Sequence, residues 1–109
     1  MTIKFILMRD SAGECVYGYP FSDVGAQVIL SPNTPQSYTV PQNVDTVVFS
    51  FSKGSDVYVN PVATAGLPGG AFAATLQDLN PVLRPVVPGQ TLSFISATNA
   101  GVTLSFFKT

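Results

Sequence analysis

The segment Val44–Asn60 constrains the fold more than any other part of the chain, because its side chains alternate in character with a period of two. Val47, Phe49 and Phe51 alternate with smaller or polar residues, and a second alternation follows Gly54. A period of two is that of a β-strand, whose successive side chains point to opposite faces. β-Branched and aromatic residues on both sides of a glycine-containing turn predict a hairpin. An isolated hairpin is barely stable in water, so other strands must cover these phenylalanines.

Short strands separated by turn-forming residues are predicted along the rest of the chain. Clusters such as Ser31–Pro35 and the dipeptide Pro88-Gly89 are typical of turns. Besides the hairpin, alternation predicts strands at Thr2–Met8, Cys15–Tyr19, Ala26–Leu30, Gln36–Val40, Gln90–Ala97 and Gly101–Phe107. About seven or eight short strands at fairly regular spacing favour an all-β fold, an antiparallel β-sandwich of jelly-roll type. We expect residues 1–109 to form a single β-sandwich domain.

The segment 61–89 breaks this pattern. It contains five prolines, at positions 61, 68, 81, 85 and 88. Proline removes a backbone donor and fixes φ, so these residues exclude a long helix and interrupt sheet hydrogen bonding. We therefore expect a long Pro/Gly-rich loop at 61–89, with room for a helical turn or two only over Ala71–Leu79. Loops of this length inside compact domains are uncommon and are often functional.

Charge is scarce in this sequence. Only 10% of residues are charged, against about 25% in ordinary soluble domains. Such a chain is either a compact β domain rich in small polar residues or a subunit that lives in an assembly. The five basic residues are scattered, so we expect no binding to nucleic acid or to an anionic membrane surface. No apolar run approaches the roughly 18 residues of a transmembrane helix. The lone Cys15 excludes an intrachain disulfide and fits a reducing compartment such as a cytoplasm.

The residue inventory also limits the available chemistry. Histidine is absent, which excludes Ser-His-Asp and Cys-His catalytic sites and every histidine-containing metal site. The glycine motifs that cradle phosphates are absent too. Asp45 and Asp56 flank the predicted hairpin and would form a catalytic pair only if they faced each other. Their ordinary interpretation is as solvated residues at strand ends, so we expect no enzyme.

A calcium site would have to draw on acidic and amide side chains, those of Asp56, Asn60, Asp78 and Asn80. Their spacing matches no calcium-binding loop. We therefore expect no catalytic residue, no metal and no cofactor.

Three stretches between Thr39 and Phe107 carry a recognisable pattern: TVPQNVDTVVFSFSKGSDVYVNP, LNPVLRPVVPGQTLSFIS and AGVTLSFF. The first fits VP-x-x-x-D-x-V-x-F followed by a VYV strand. This pattern resembles small β-sandwich virion proteins of tailed bacteriophages, of the capsid cement or decoration type. Residues 1–38 carry no such resemblance. It transfers no catalytic residue to this chain.

The resemblance implies a non-enzymatic structural protein that binds and bridges major capsid subunits and so stabilises the shell. Its partner would be the major capsid protein, and its own state a homo-oligomer, a dimer or trimer. Its location would be the outer surface of the capsid, after synthesis in the host bacterial cytoplasm. One alternative is a tail, baseplate or fibre component of the same particle. Another is a carbohydrate-binding β-sandwich module with sugar platforms at Tyr17, Tyr19, Tyr38 or Tyr58.

Two segments contain candidate partner contacts. The candidates in the proline-rich segment are Leu67, Phe72, Leu76 and Leu79. These side chains would anchor a neighbouring subunit at low entropic cost, because proline already restricts the free chain. The alternative is that they cap their own sandwich. In the N-terminal strand, Ile3 and Phe5 share one face of a predicted edge strand, and an edge strand can pair with a neighbour's sheet.

Overall fold

The computed structural model describes residues 21–68 and 77–109, together with the backbone of residues 8–9 and 15–16. Its strands are β1 (Met8–Arg9), β2 (Cys15–Val16), β3 (Val24–Leu30), β4 (Gln36–Thr39), β5 (Thr46–Phe51), β6 (Val57–Asn60), β7 (Asp78–Leu79), β8 (Leu83–Pro85), β9 (Thr91–Ser96) and β10 (Ala100–Phe107). The described residues contain no helix, and hence none that could span a membrane. The all-β prediction is confirmed.

Eight of these strands form two antiparallel sheets of four. Sheet I has the strand order β3-β10-β5-β8, and sheet II has the order β4-β9-β6-β7. The short strands β1 and β2 pair separately. From β3 to β10 every connection crosses from one sheet to the other except that between β6 and β7, which are neighbours in sheet II. This strand order confirms the predicted jelly-roll type of sandwich.

The core lies between the two sheets. The rings of Phe49 in sheet I and Phe94 in sheet II meet edge to face, with centroids 6.3 Å apart. Tyr38 of sheet II stacks on Phe106 of sheet I at 5.9 Å. Phe94, Phe106 and Leu104 are fully buried, and burial of each such side chain contributes about 1.5–3 kcal/mol. Burial alternates along β3 and most of β10, as the period of two predicts.

The central hairpin prediction is wrong in its pairing, although both strands are correct. β5 pairs with β10 and β8, whereas β6 pairs with β9 and β7. The predicted turn forms: the Ser55 N–H donates to the Ser52 carbonyl at 3.2 Å, and Gly54 has a φ of 75°. The turn carries the chain from one sheet to the other. This arrangement buries the apolar faces of β5 and β6 on opposite sides of one core, which a hairpin within one sheet would not do.

The predicted long loop at 61–89 is also only partly correct. It contains two short strands, β7 and β8, which are the edge strands of sheet II and sheet I. Pro85 is tolerated in β8 because an edge strand needs hydrogen bonds on one side only. Residues 61–68 cover the outer face of sheet II, where the Ala65 N–H donates to Ser93 Oγ at 2.9 Å. The predicted strands Thr2–Met8 and Cys15–Tyr19 lie outside the described residues, except for the parts that form β1 and β2.

Candidate interaction surface

The two carboxylates considered as a catalytic pair lie far apart. Asp45 precedes the first residue of β5 and Asp56 follows the turn after its last residue, so the strand, about 20 Å long, separates them. Asp45 instead holds the residues that follow β10. The Thr109 N–H donates to Asp45 Oδ1 at 2.9 Å, and Thr109 Oγ1 donates to Oδ2 at 2.8 Å. These bonds from Thr109, helped by Lys108 Nζ at 3.6 Å, hold the pKa of Asp45 below its ordinary value.

The side chains considered for calcium serve local structure. Asn60 Oδ1 accepts two backbone N–H groups of the loop that follows β6. Asn80 Oδ1 accepts the N–H of Val57 at 2.9 Å, and Asp78 Oδ2 pairs with Arg84 Nε at 3.2 Å. Their oxygens therefore do not converge on a common point. The part of the chain that the structure describes contains no group of three or more acidic or cysteine residues placed to hold a metal ion.

The tyrosines considered as sugar platforms differ in their surroundings. Tyr38 packs against the core through its stacking on Phe106, so this ring face is not available to a sugar. Tyr58 is half-buried and lies between Ile95 and Leu79 on the neighbouring strands. Tyr17 and Tyr19 lie outside the described residues. The structure therefore brings no two described tyrosines together as a platform.

Exposed apolar side chains are concentrated at one edge of the sandwich. The large hydrophobic residues that are exposed in the described chain are Phe21, Ile29, Val62, Leu79, Val82, Leu83 and Val87. Four of these seven, Leu79, Val82, Leu83 and Val87, lie in or beside β7 and β8, whereas Val62 lies over the outer face of sheet II. These two strands face each other across the core at the same edge, which we call the β7–β8 edge. Clusters of exposed apolar residues of this kind mark interaction sites.

A cleft of about 280 Å³ opens between the two sheets at the β7–β8 edge. Its apolar lining includes Phe49, Val59 and Leu92, which are buried residues of the core. The cleft exists because β7 and β8 have only two and three residues, too few to cover the core between the sheets. Prolines at positions 61, 81 and 85 also line it. Proline rings restrict backbone motion, so this part of the lining is preorganised.

One ion pair lies beside the cleft. Arg84 and Asp78 both line the cleft, are joined at 3.2 Å and are about half exposed. The guanidinium also donates through Nη1 to the Leu83 carbonyl at 2.8 Å. Gln90, another lining residue, donates to the Pro61 carbonyl at 3.4 Å and so ties the loop after β8 to the loop after β6. The polar groups of the lining are therefore largely paired with each other.

The predicted contact residues lie in different parts of the structure. Leu79 is exposed on β7, next to the lining residue Asp78. Leu67 is half-buried in the segment that covers sheet II. The remaining candidates, Phe72, Leu76, Ile3 and Phe5, lie outside the described residues.

Sequence reasoning missed three exposed residues of this edge, Val82, Leu83 and Val87. A signal for them exists in the proline-bounded apolar pairs Val82-Leu83 and Val86-Val87. Adjacent residues of an extended chain point in opposite directions, so one member of each pair cannot reach the core. Val86 is buried and Val87 is exposed, as this rule requires, whereas Val82 and Leu83 are both exposed.

No protein-family model, curated protein or solved structure matches the chain.

Proposed function

We propose that this chain is a non-enzymatic structural protein of a bacteriophage particle that binds and bridges major capsid subunits and stabilises the shell. The observation that carries the proposal is an apolar cleft at the β7–β8 edge, with exposed apolar side chains on the adjoining strands. The pattern shared with small phage virion proteins over Thr39–Phe107 supplies the identity of the partner. The fold alone would not identify the partner, because jelly rolls serve many functions.

The physical demands of such a role are modest. A bridging protein needs a rigid scaffold and complementary surfaces, and it needs no reactive group. Few charges oppose its burial in an assembly, since only 10% of its residues are charged. A dimer or trimer on the outer surface of the capsid would engage several capsid subunits at once. Simultaneous engagement makes individually weak contacts strong, because the second contact is formed at high effective concentration.

Co-sedimentation of the purified protein with assembled shells that lack it tests this proposal. We expect saturable binding, with a copy number equal to the major capsid protein or to a simple fraction of it. Quantitative mass spectrometry of the intact particle should give the same ratio. Failure to bind shells would contradict the proposal. A few copies per particle would instead indicate a tail component.

A further inference from the structure

We infer that the cleft at the β7–β8 edge accepts one apolar side chain from an extended, uncharged segment of the capsid subunit. The inference rests on the proposed function, which supplies the source of the segment. It goes further by assigning the contact to one cleft and by stating the chemistry of what enters it.

The size of the cleft favours a side chain. An apolar cavity of about 150 Å³ is enough for a benzene-sized molecule, whereas pockets for larger ligands start near about 300 Å³. The volume of about 280 Å³ therefore suits one aliphatic or aromatic side chain with part of its backbone. Insertion would cover apolar surface of the lining, chiefly that of the half-buried Pro61 and the exposed Pro85, because Val59 and Leu92 are already buried.

The charges of the lining favour an uncharged segment. Arg84 and Asp78 are the charged residues of the lining, and they neutralise each other across 3.2 Å. An inserted lysine or glutamate would lose its hydration without gaining an unpaired opposite charge. Nη2 of Arg84 makes no hydrogen bond within the described part of the chain, so it is left to donate to a backbone carbonyl of the segment.

The edge itself disfavours the other common mode of recognition, strand addition. The Val86 N–H bonds to the Asp45 carbonyl and the Phe49 N–H to the Val82 carbonyl. In an antiparallel pair, successive residues point their backbone N–H and C=O groups alternately towards and away from the partner strand. Because Val86 bonds to β5, the backbone N of its neighbour Pro85 faces the free side of β8. Proline has no N–H to offer a new strand there. The missing donor disfavours strand addition at β8, and the exposed Val82 and Val87, next to the lining residues Pro81 and Val86, offer apolar contacts beside the cleft.

A titration followed by methyl NMR tests insertion directly. The probe is an uncharged, blocked pentapeptide, Ser-Gly-Leu-Gly-Ser, and its control has glycine in place of the leucine. We expect the leucine peptide, at millimolar concentrations, to shift the methyl resonances of Val59, Val86 and Leu92 in a saturable way. The resonances of Val28 and Leu30, at the opposite edge, should stay in place. Equal shifts at both edges, or none with the leucine peptide, would overturn the inference.

A matched pair of variants tests the same cleft on assembled shells. Val87→Lys places a charge beside the cleft, and Ile29→Lys places one on sheet I at similar exposure, 66% against 70% for the native side chains. We expect Val87→Lys to weaken shell binding by about tenfold or more and Ile29→Lys to leave it unchanged. Wild-type protein that does not bind shells would contradict the proposed function itself. Wild-type binding with equal affinity in both variants would overturn the cleft assignment alone.

Discussion

The two edges of this sandwich differ in how completely they cover the core. At both edges, the two edge strands are consecutive in the chain and belong to different sheets. At one edge β3 and β4, with seven and four residues, seal the core, and Val28 and Leu30 are buried there. The connection between them is pinned across the end of the sandwich, where the Asn33 N–H donates to the Ser96 carbonyl at 2.8 Å. At the other edge β7 and β8 are shorter, and a cleft reaches the core. Strand length thus decides at which edge a cleft reaches the core.

A pair of leucine substitutions gives the largest expected difference between the edges. Leu30, on β3, is 1% exposed, whereas Leu83, on β8, is 40% exposed. We expect Leu30→Ala to lower the free energy of unfolding by about 2–5 kcal/mol, because it leaves a cavity in the core. Leu83→Ala should cost less than about 1 kcal/mol. Urea unfolding of the two variants measures both values, and equal losses would contradict the contrast between the edges.

Asn60 tests how firmly the chain is anchored beside the β7–β8 edge. Its buried Oδ1 accepts the N–H groups of Val62 and Ala63, both at 2.9 Å. Asn60→Ala should lower the free energy of unfolding by about 1–3 kcal/mol, because these donors lose their partner. The exposed Asn99 offers a control, and Asn99→Ala should change stability little. If thermal unfolding showed the same small shift for both variants, the anchoring role of Asn60 would be wrong.

Pro85 tests how the shorter edge avoids pairing with other chains. Pro85→Thr would add an outward N–H to the free side of β8 and restore a donor for a new strand. We expect a modest, concentration-dependent increase in association beyond that of the wild type, measured by sedimentation velocity. Pro88→Thr is the control, since Pro88 lies in the turn closed by the bond from the Gln90 N–H to the Val87 carbonyl. Identical behaviour of the two variants would argue against protection by Pro85.

Asp45 gives the smallest expected effect, and it depends on pH. The hydrogen bonds from Thr109 lower the pKa of Asp45 below its ordinary value of 3.8. The stabilisation is therefore complete above pH 3.8 and is lost as the pH falls through the lower folded-state value. We expect Asp45→Asn to remove this part of the acid dependence of unfolding. In Thr109→Val, NMR titration of the Asp45 carboxyl should show a pKa closer to 3.8; an unchanged pKa would contradict the assignment.

Local features of the fold could be predicted from sequence because they depend on adjacent residues. Alternation located β5, β6, β9 and β10, and turn-forming residues marked the chain reversals. Asn33, Gly54 and Gly89 all adopt positive φ within predicted turns. Strand pairing could not be predicted in the same way, since a chain that crosses between sheets has the same alternation as a hairpin.

The candidate interaction surface was harder to predict from the sequence than the strands and turns. β7 and β8 are too short to show a period, and prolines at positions 81 and 85 made their surroundings typical of a loop. Leu79 was identified as a contact candidate from its apolar character and its place in the proline-rich segment 61–89. The cleft depends on residues from β5, β6 and β9 that meet only after folding, for example Phe49, Val59 and Leu92.

Hydrogen exchange of the protein, free and bound to assembled shells, tests most directly whether the β7–β8 edge is the contact surface. We predict that binding slows exchange of the backbone amides of residues 77–87 by about tenfold or more, since burial removes them from solvent. The amides of β3 and β4 should exchange at unchanged rates. Protection centred on β3 and β4, with none at the β7–β8 edge, would contradict the account.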